Sequence, residues 1–159
     1  MSRIKLGPMD ESEFSGYMKD NTIRYAAECA RAGRWAEQDS FQMAEKSIND
    51  ILPDGMRTKD HYFFKLRDLI TGQEVGVAWL SIQDQAGFRS VFIYDIFICE
   101  SCRGKGLGTE TLKDIEGWAE RSGAKSIWLH AFWNNQDAIA LYRRLGYAET
   151  DVTMSKKII

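Results

Sequence analysis

The stretch Tyr94–Leu112, YDIFICESCRGKGLGTETL, decides how the chain folds. It begins as an apolar run that reads as a buried strand. It then enters a turn with glycine at alternate positions, Gly104, Gly106 and Gly108, flanked by Arg103 and Lys105, and leaves as an amphipathic helix. Strand, glycine turn and helix together suit an anion. Glycine lets the main chain come close and adopt positive φ. Unpaired N–H groups at the helix start point at the anion, and the helix dipole favours negative charge there. The spacing is neither the GxxxxGK[ST] of a P-loop nor the GxGxxG of a dinucleotide fold. Taken alone, the turn is open to two readings, an anion cradle or a tight connection that holds nothing.

Working outward, the periodicity upstream of this stretch is strand-like. His61–Arg67, Val75–Ile82 and Val91–Ile98 are separated by short turns at Thr71-Gly72 and Asp84–Gly87, which predicts an antiparallel meander. Downstream, Leu107, Leu112, Ile115 and Ala119 keep helical spacing until Ser122-Gly123, and Ser126–Ala131 reads as a further strand. Strand, helix, strand is a βαβ unit, so Val91–Ile98 and Ser126–Ala131 are expected to run parallel. Ile4–Leu6 is a first strand. Asp10 and Glu13 have capping-box spacing before a helix that runs to Gly33, and Ala36–Leu52 carries a second helical stripe. Gln136–Leu145 is a short helix ended by Gly146, and Tyr147–Asp151 and Val152–Lys156 read as terminal strands.

The bulk numbers exclude several classes. A chain of 159 residues, 44% hydrophobic and 28% charged with two prolines, is neither disordered nor collagen-like and is expected to form one domain over residues 1–159. Folding at this length buries roughly 70% of the extended surface. A net charge of −2 argues against nucleic acid or an anionic membrane as partner. No apolar run approaches the ~20 residues of a membrane span. The opening MSRIKLGPMDESEF lacks the apolar core of a secretory signal, and three cysteines suggest reduced thiols, so the cytoplasm is the expected compartment.

A second stretch, Asn135–Tyr147, NQDAIALYRRLGY, carries chemistry of its own. Asn135 is placed to cap the helix. Ala138, Leu141, Tyr142 and Leu145 share one face, so Tyr142 is expected against the core. Two readings of that phenol are open: a core tyrosine bonded to a backbone carbonyl, or a positioned general acid.

These two stretches resemble the signatures of the GNAT superfamily of N-acetyltransferases. Arg103-Gly104-Lys105-Gly106-Leu107-Gly108 is similar to its [R/Q]-x-x-G-x-[G/A] pyrophosphate motif, and the Asn135–Tyr147 run resembles its second signature, in the expected order and separation. The resemblance is sharpest from Tyr94 to Tyr147. One departure is that Glu100-Ser101-Cys102 stands where family members often carry a proline before the arginine.

The resemblance implies an α/β fold: a mixed, mostly antiparallel central sheet of six to seven strands, flanked by about four helices and splayed between strands 4 and 5. It implies acetyl-CoA as co-substrate. The N–H groups from Arg103 through Gly104, Lys105, Gly106, Leu107 and Gly108 to Thr109 would cradle its pyrophosphate. The main chain of Phe97 and Ile98 would pair with the pantetheine arm, and Asn135 would contact that arm. Tyr142 would protonate the departing thiolate. The implied function is transfer of an acetyl group to a primary amine by direct attack, the acceptor being a small molecule or a peptide amine. The alternative is an acyl-CoA sensor that has lost catalysis. A homodimer is compatible with apolar edge residues, and no metal is expected.

The general base stays open at this point. His130 lies five residues before Asn135 and titrates near neutrality when unperturbed, so it is a base or a strand histidine that only packs. Asp95 is an acid in an apolar strand, where an unpaired charge would be costly. It is a base acting through water, a group that binds the acceptor cation, or a structural acceptor. Cys99 and Cys102 have CxxC spacing. The partners a zinc site needs are missing and the pair ends a strand rather than opening a helix, so the spacing reads as coincidence, with a thiol reactive toward the thioester as the other possibility.

Overall fold

The computed structural model describes residues 2–159. One sheet organises them, with strand order β1-β2-β3-β4-β5. The strands are β1 (Ile4–Pro8), β2 (His61–Asp68), β3 (Glu74–Gln85), β4 (Phe88–Ile98) and β5 (Ser126–Leu129). The helices are α1 (Glu11–Arg31), α2 (Ser40–Ile51), α3 (Leu107–Arg121) and α4 (Gln136–Arg144). β1 to β4 pair antiparallel, and β4 pairs β5 in parallel, as the βαβ reading requires.

The two faces of the sheet hold two cores. Beneath α3, Leu66, Val75, Leu80, Val91 and Ile93 meet Leu107, Leu112 and Ile115. These helical residues recur at the spacing read from the sequence. Beneath α1 and α2, Tyr17, Ile48 and Leu52 meet Phe63 and Trp79, and Tyr94 stacks on Trp79 with ring centroids 4.5 Å apart.

The sheet has five strands rather than six or seven: Tyr147–Asp151 and Val152–Lys156 form none. Gly146 turns the chain out of α4 in a left-handed conformation (φ 93°). The Arg143 Nε then donates to Glu149 Oε1 at 2.6 Å, which holds the departing chain against α4 rather than along β5. The expected strand Ser126–Ala131 also stops short, at Leu129, and the helix expected from Ala36 begins with a 3-10 turn, Glu37–Asp39, before α2. Asp10 sits at the start of α1 but its side chain caps no N–H.

β4 is irregular where the function was expected. Trp79 faces Asp95 and Leu80 faces Ile93, so Tyr94 is an extra residue with no partner on β3. A bulge of this kind sharpens the local twist and turns successive side chains the same way. The pairing of β4 with β5 covers Ser90–Ile93 and ends beside that bulge. From Tyr94 to Ile98, β4 has β3 on one side and no strand on the other.

Candidate active site

The glycine turn is built from two left-handed residues. Gly104 and Gly106 both have φ 75°, a region that costs an L-residue roughly 1–2 kcal/mol. Gly106 immediately precedes α3. Among the described residues, no main-chain or side-chain group accepts from the N–H of Gly104, Lys105 or Gly106. The N–H groups of Leu107, Gly108 and Thr109 open a helix and so have no intrahelical acceptor. Gly108 serves a different purpose. A Cβ there would stand 3.1 Å from Leu141 Cδ2, so the start of α3 lies close against α4. The turn thus offers a row of unspent donors at the positive end of a fifteen-residue helix, flanked by the exposed side chains of Arg103 and Lys105.

The open side of β4 begins at the same place. Cys99 N–H donates to Val75 O at 2.8 Å, and antiparallel pairing alternates, so the main chain of Phe97 and Asp95 faces β3. The groups turned away from β3 belong to Ile96 and Ile98. This corrects the expectation for Phe97, whose N–H and C=O belong to the β3 ladder. The Ile98 carbonyl accepts from Arg103 Nε at 2.9 Å. Phe97 contributes its ring, with the Arg24 guanidinium 4.1 Å and that of Arg103 5.2 Å from its centroid. Gly76 on β3 makes room for this edge, because a Cβ there would fall 2.0 Å from Phe97 O.

Asp95 is tied into a network. Its Oδ2 accepts from Tyr17 Oη at 2.7 Å, Asn21 Nδ2 at 3.1 Å and Arg24 Nη2 at 2.9 Å, and Oδ1 accepts from Arg24 Nη1 at 3.0 Å. Burial, and then the Asp95 charge, push the Tyr17 phenol well above its ordinary value. Of the three readings of Asp95, the geometry matches the structural acceptor. With Arg24 on both oxygens, the carboxylate has no free face for an incoming ammonium. Tyr17, Asn21 and Arg24 are spaced i, i+4 and i+7, one face of α1. Their match to the lone acid of β4 was the available signal in the sequence.

Tyr142 lies half-buried on α4 and packs against the α3-side core beside Tyr147, ring centroids 5.8 Å apart. Its hydroxyl makes no hydrogen bond among the described residues, so the carbonyl-bonded reading does not hold. Burial, and then the charge of Asp95, raise its pKa above the ordinary phenol value, so it is protonated at neutral pH. Asn135 occupies the position before α4, but at φ −86°, ψ 64° its side chain caps nothing. That leaves its amide free for another partner. His130 lies just past β5, exposed, with its ring 5.0 Å from Phe132. Partial burial, and then Arg34, lower its pKa, so it is neutral at pH 7. Cys99 precedes a 3-10 turn, Glu100–Cys102, that Cys102 ends, and both are free thiols. Cys99 lines a cavity of about 560 Å³ between α1 and the sheet, with Tyr17, Arg24, Gly76 and Phe97 among its other walls.

An unpaired strand edge, a donor-rich helix start and a protonated phenol therefore meet around the β4–α3–α4 junction. This is an arrangement for an extended molecule with an anionic head. The chain belongs to the acetyltransferase (GNAT) family, whose model matches residues 22–147. It is 36% identical over 155 residues to the uncharacterized N-acetyltransferase YycN of Bacillus subtilis, covering 98% of this chain and 99% of that one. The uncharacterized N-acetyltransferase YdgE of the same organism is 30% identical over 153 residues, 96% and 97% of the two chains. The crystal structure of the putative acetyltransferase YycN superimposes with a TM-score of 0.93 at 35% identity, over 98% of this chain and 99% of that one.

Proposed function

We propose that the protein transfers an acetyl group from acetyl-CoA to a primary amine by direct attack. The observation that carries this reading is the row of unspent N–H groups from Gly104 to Thr109, continuous with the unpaired edge of β4. The donors match a diphosphate in number and charge, and the edge matches an amide-bearing arm that hydrogen-bonds like a strand. The β4–β5 ladder ends at Ile93 and Leu129, which supports a splay there able to take that arm. Bound there, acetyl-CoA supplies the thioester.

The chain's own residues then do the following. Main-chain groups of Ile96 and Ile98 pair with the arm, and Arg103 releases the Ile98 carbonyl as its guanidinium turns to the diphosphate. The free amide of Asn135 holds the arm from the α4 side. Tyr142, kept protonated by its surroundings, gives its proton to the departing sulfur. His130, neutral at pH 7 and exposed past β5, is the group able to accept the proton of the attacking amine. Asp95 acts at a distance, by fixing α1 to the bulge.

Tyr142→Phe tests the reading. Turnover, followed as free thiol released in the presence of an amine panel, should fall by about 10²–10⁴-fold, while acetyl-CoA affinity stays within about twofold. Unchanged turnover removes Tyr142 from the mechanism. Tight acetyl-CoA binding with no amine accepted by the native protein favours the sensor instead.

A further inference from the structure

The chain leaves β4 at Ile98 and doubles back before the glycine turn begins. Cys102 N–H donates to Cys99 O at 2.8 Å and Arg103 N–H to Glu100 O at 3.2 Å, which closes the 3-10 turn Glu100–Cys102. Arg103 follows with extended backbone, φ −74° and ψ 161°. The turn thus carries Arg103 back over the strand end, where its Nε donates at 2.9 Å to the Ile98 carbonyl, five residues behind it. Phe97 gives the guanidinium a resting place, 5.2 Å from its ring centroid, and a ring face attracts a cation. That ring is itself fixed. Arg24 lies 4.1 Å from the same centroid and is tied to both oxygens of Asp95. No carboxylate pairs with Arg103 among the described residues.

The Ile98 carbonyl is one of the groups on the open side of β4. In the free protein, Arg103 therefore covers an acceptor that an incoming arm needs. A hydrogen bond from a charged donor is stronger than one from a neutral amide. An arm's own N–H does not displace the guanidinium at an even exchange, and something else has to receive the cation. A diphosphate at the N–H groups from Gly104 to Thr109 can do so. An uncharged end in the same place cannot.

We infer that Arg103 is a latch on the β4 edge, released only by a carrier that brings a diphosphate. The inference rests on the functional reading given above and adds a selection to it. Pantetheine thioesters that end in a hydroxyl are discriminated against, although the arm they would lay along β4 is the same. Part of the diphosphate's attraction for Arg103 is used to uncover Ile98. Head and arm of the carrier then bind cooperatively while touching different groups of the protein.

Calorimetry with fragments of the carrier tests this on the native protein, with S-acetylpantetheine as the arm and inorganic pyrophosphate as the head. S-acetylpantetheine should bind roughly tenfold more tightly at saturating pyrophosphate than alone, the worth of one charge-assisted hydrogen bond. Arg103→Met keeps an apolar stem and loses the donors, so in this variant pyrophosphate should no longer help. S-acetylpantetheine alone should bind the variant roughly tenfold more tightly than the native protein, and acetyl-CoA more weakly. An arginine that only binds the anion, or only supports the fold, gives no such gain when removed. Independent binding of the two fragments to the native protein overturns the inference and leaves the acetyl-CoA reading in place. So does S-acetylpantetheine affinity that is unchanged or weaker in Arg103→Met. A native protein that takes up neither acetyl-CoA nor pyrophosphate overturns that reading, and the latch with it. If Arg103→Met fails to fold, the coupling measured on the native protein decides alone.

Discussion

Arg24→Leu perturbs the site without touching the anion turn. Arg24 gives two of the four donors on Asp95, whose side chain is 11% exposed against 30% for Arg24. Breaking a buried ion pair by removing one partner costs about 3–5 kcal/mol, because it strands the other charge. Here water reaches Arg24, and Tyr17 and Asn21 still hold the carboxylate, so about 2–3 kcal/mol is expected at pH 7. In a domain of this size that lowers Tm by roughly 4–12 °C. Asp95→Asn keeps one acceptor oxygen and is expected to cost roughly 1–2 kcal/mol. The two residues share one interaction, so the double variant should cost about 2–3 kcal/mol, well short of the sum. Urea unfolding of the four proteins closes the cycle. Additive single effects would mean that Arg24 and Asp95 do not act as a pair and would refute the account of how α1 is held to β4.

Two further outcomes follow from the same geometry. Gly76→Ala forces a Cβ onto Phe97 O and to 3.1 Å from Ile98 Cα, both main-chain atoms with no rotamer to yield. A loss of about 3 kcal/mol is expected, with weaker acetyl-CoA binding because the β4 edge must move; a Tm within about 1 °C of native would contradict it. Asp68 is 2% exposed and bonded by Arg3 Nε at 2.8 Å, and that bond together with the Ile70 N–H and Thr71 holds its pKa well below the usual carboxylate range. A depressed folded-state value contributes stability that is present above the unfolded pKa of about 3.9 and lost as pH falls toward the folded one. Acid titration of stability below about pH 4 should therefore be shallower in Asp68→Asn than in the native protein; parallel curves would show that Asp68 is not the linked group.

Much of this arrangement was legible in the residues, and the misses have physical causes. The meander, the parallel β4–β5 step and the α3 stripe of Leu107, Leu112, Ile115 and Ala119 follow from periodicity, which reports a side chain's face directly. The turn at Gly104 and Gly106 was legible because positive φ selects for glycine. Phe97 was misassigned because which main-chain groups face which neighbour depends on strand register, and register is set by β3, far away in sequence. Asn21 and Arg24 were missed because a polar stripe on a helix ordinarily means solvent. The segment 147–156 has the alternation of a strand, but pairing needs a neighbour, and alternation does not say whether the chain supplies one.

The bulge at Tyr94 explains why these features fall together. Strict alternation through Val91, Ile93 and Asp95 would put the carboxylate on the α3 face, among Leu107, Leu112 and Ile115, where no donor waits. One extra residue switches the face. Tyr94 and Asp95 both turn toward α1, the first onto Trp79 and the second onto Tyr17, Asn21 and Arg24. Beyond it Ile96 and Ile98 return to the α3 core, so the strand stays anchored on both faces. The extra residue also alters the twist of β4 at the point where β5 stops following it. An edge strand left open is ordinarily a hazard for aggregation. Here it is kept straight by β3 through Gly76, pinned by α1 through Asp95 and aimed at the N-terminus of α3. An edge held in this way is rigid enough to serve as half of the binding site proposed above, the other half being a hydrogen-bonding arm of the proposed ligand.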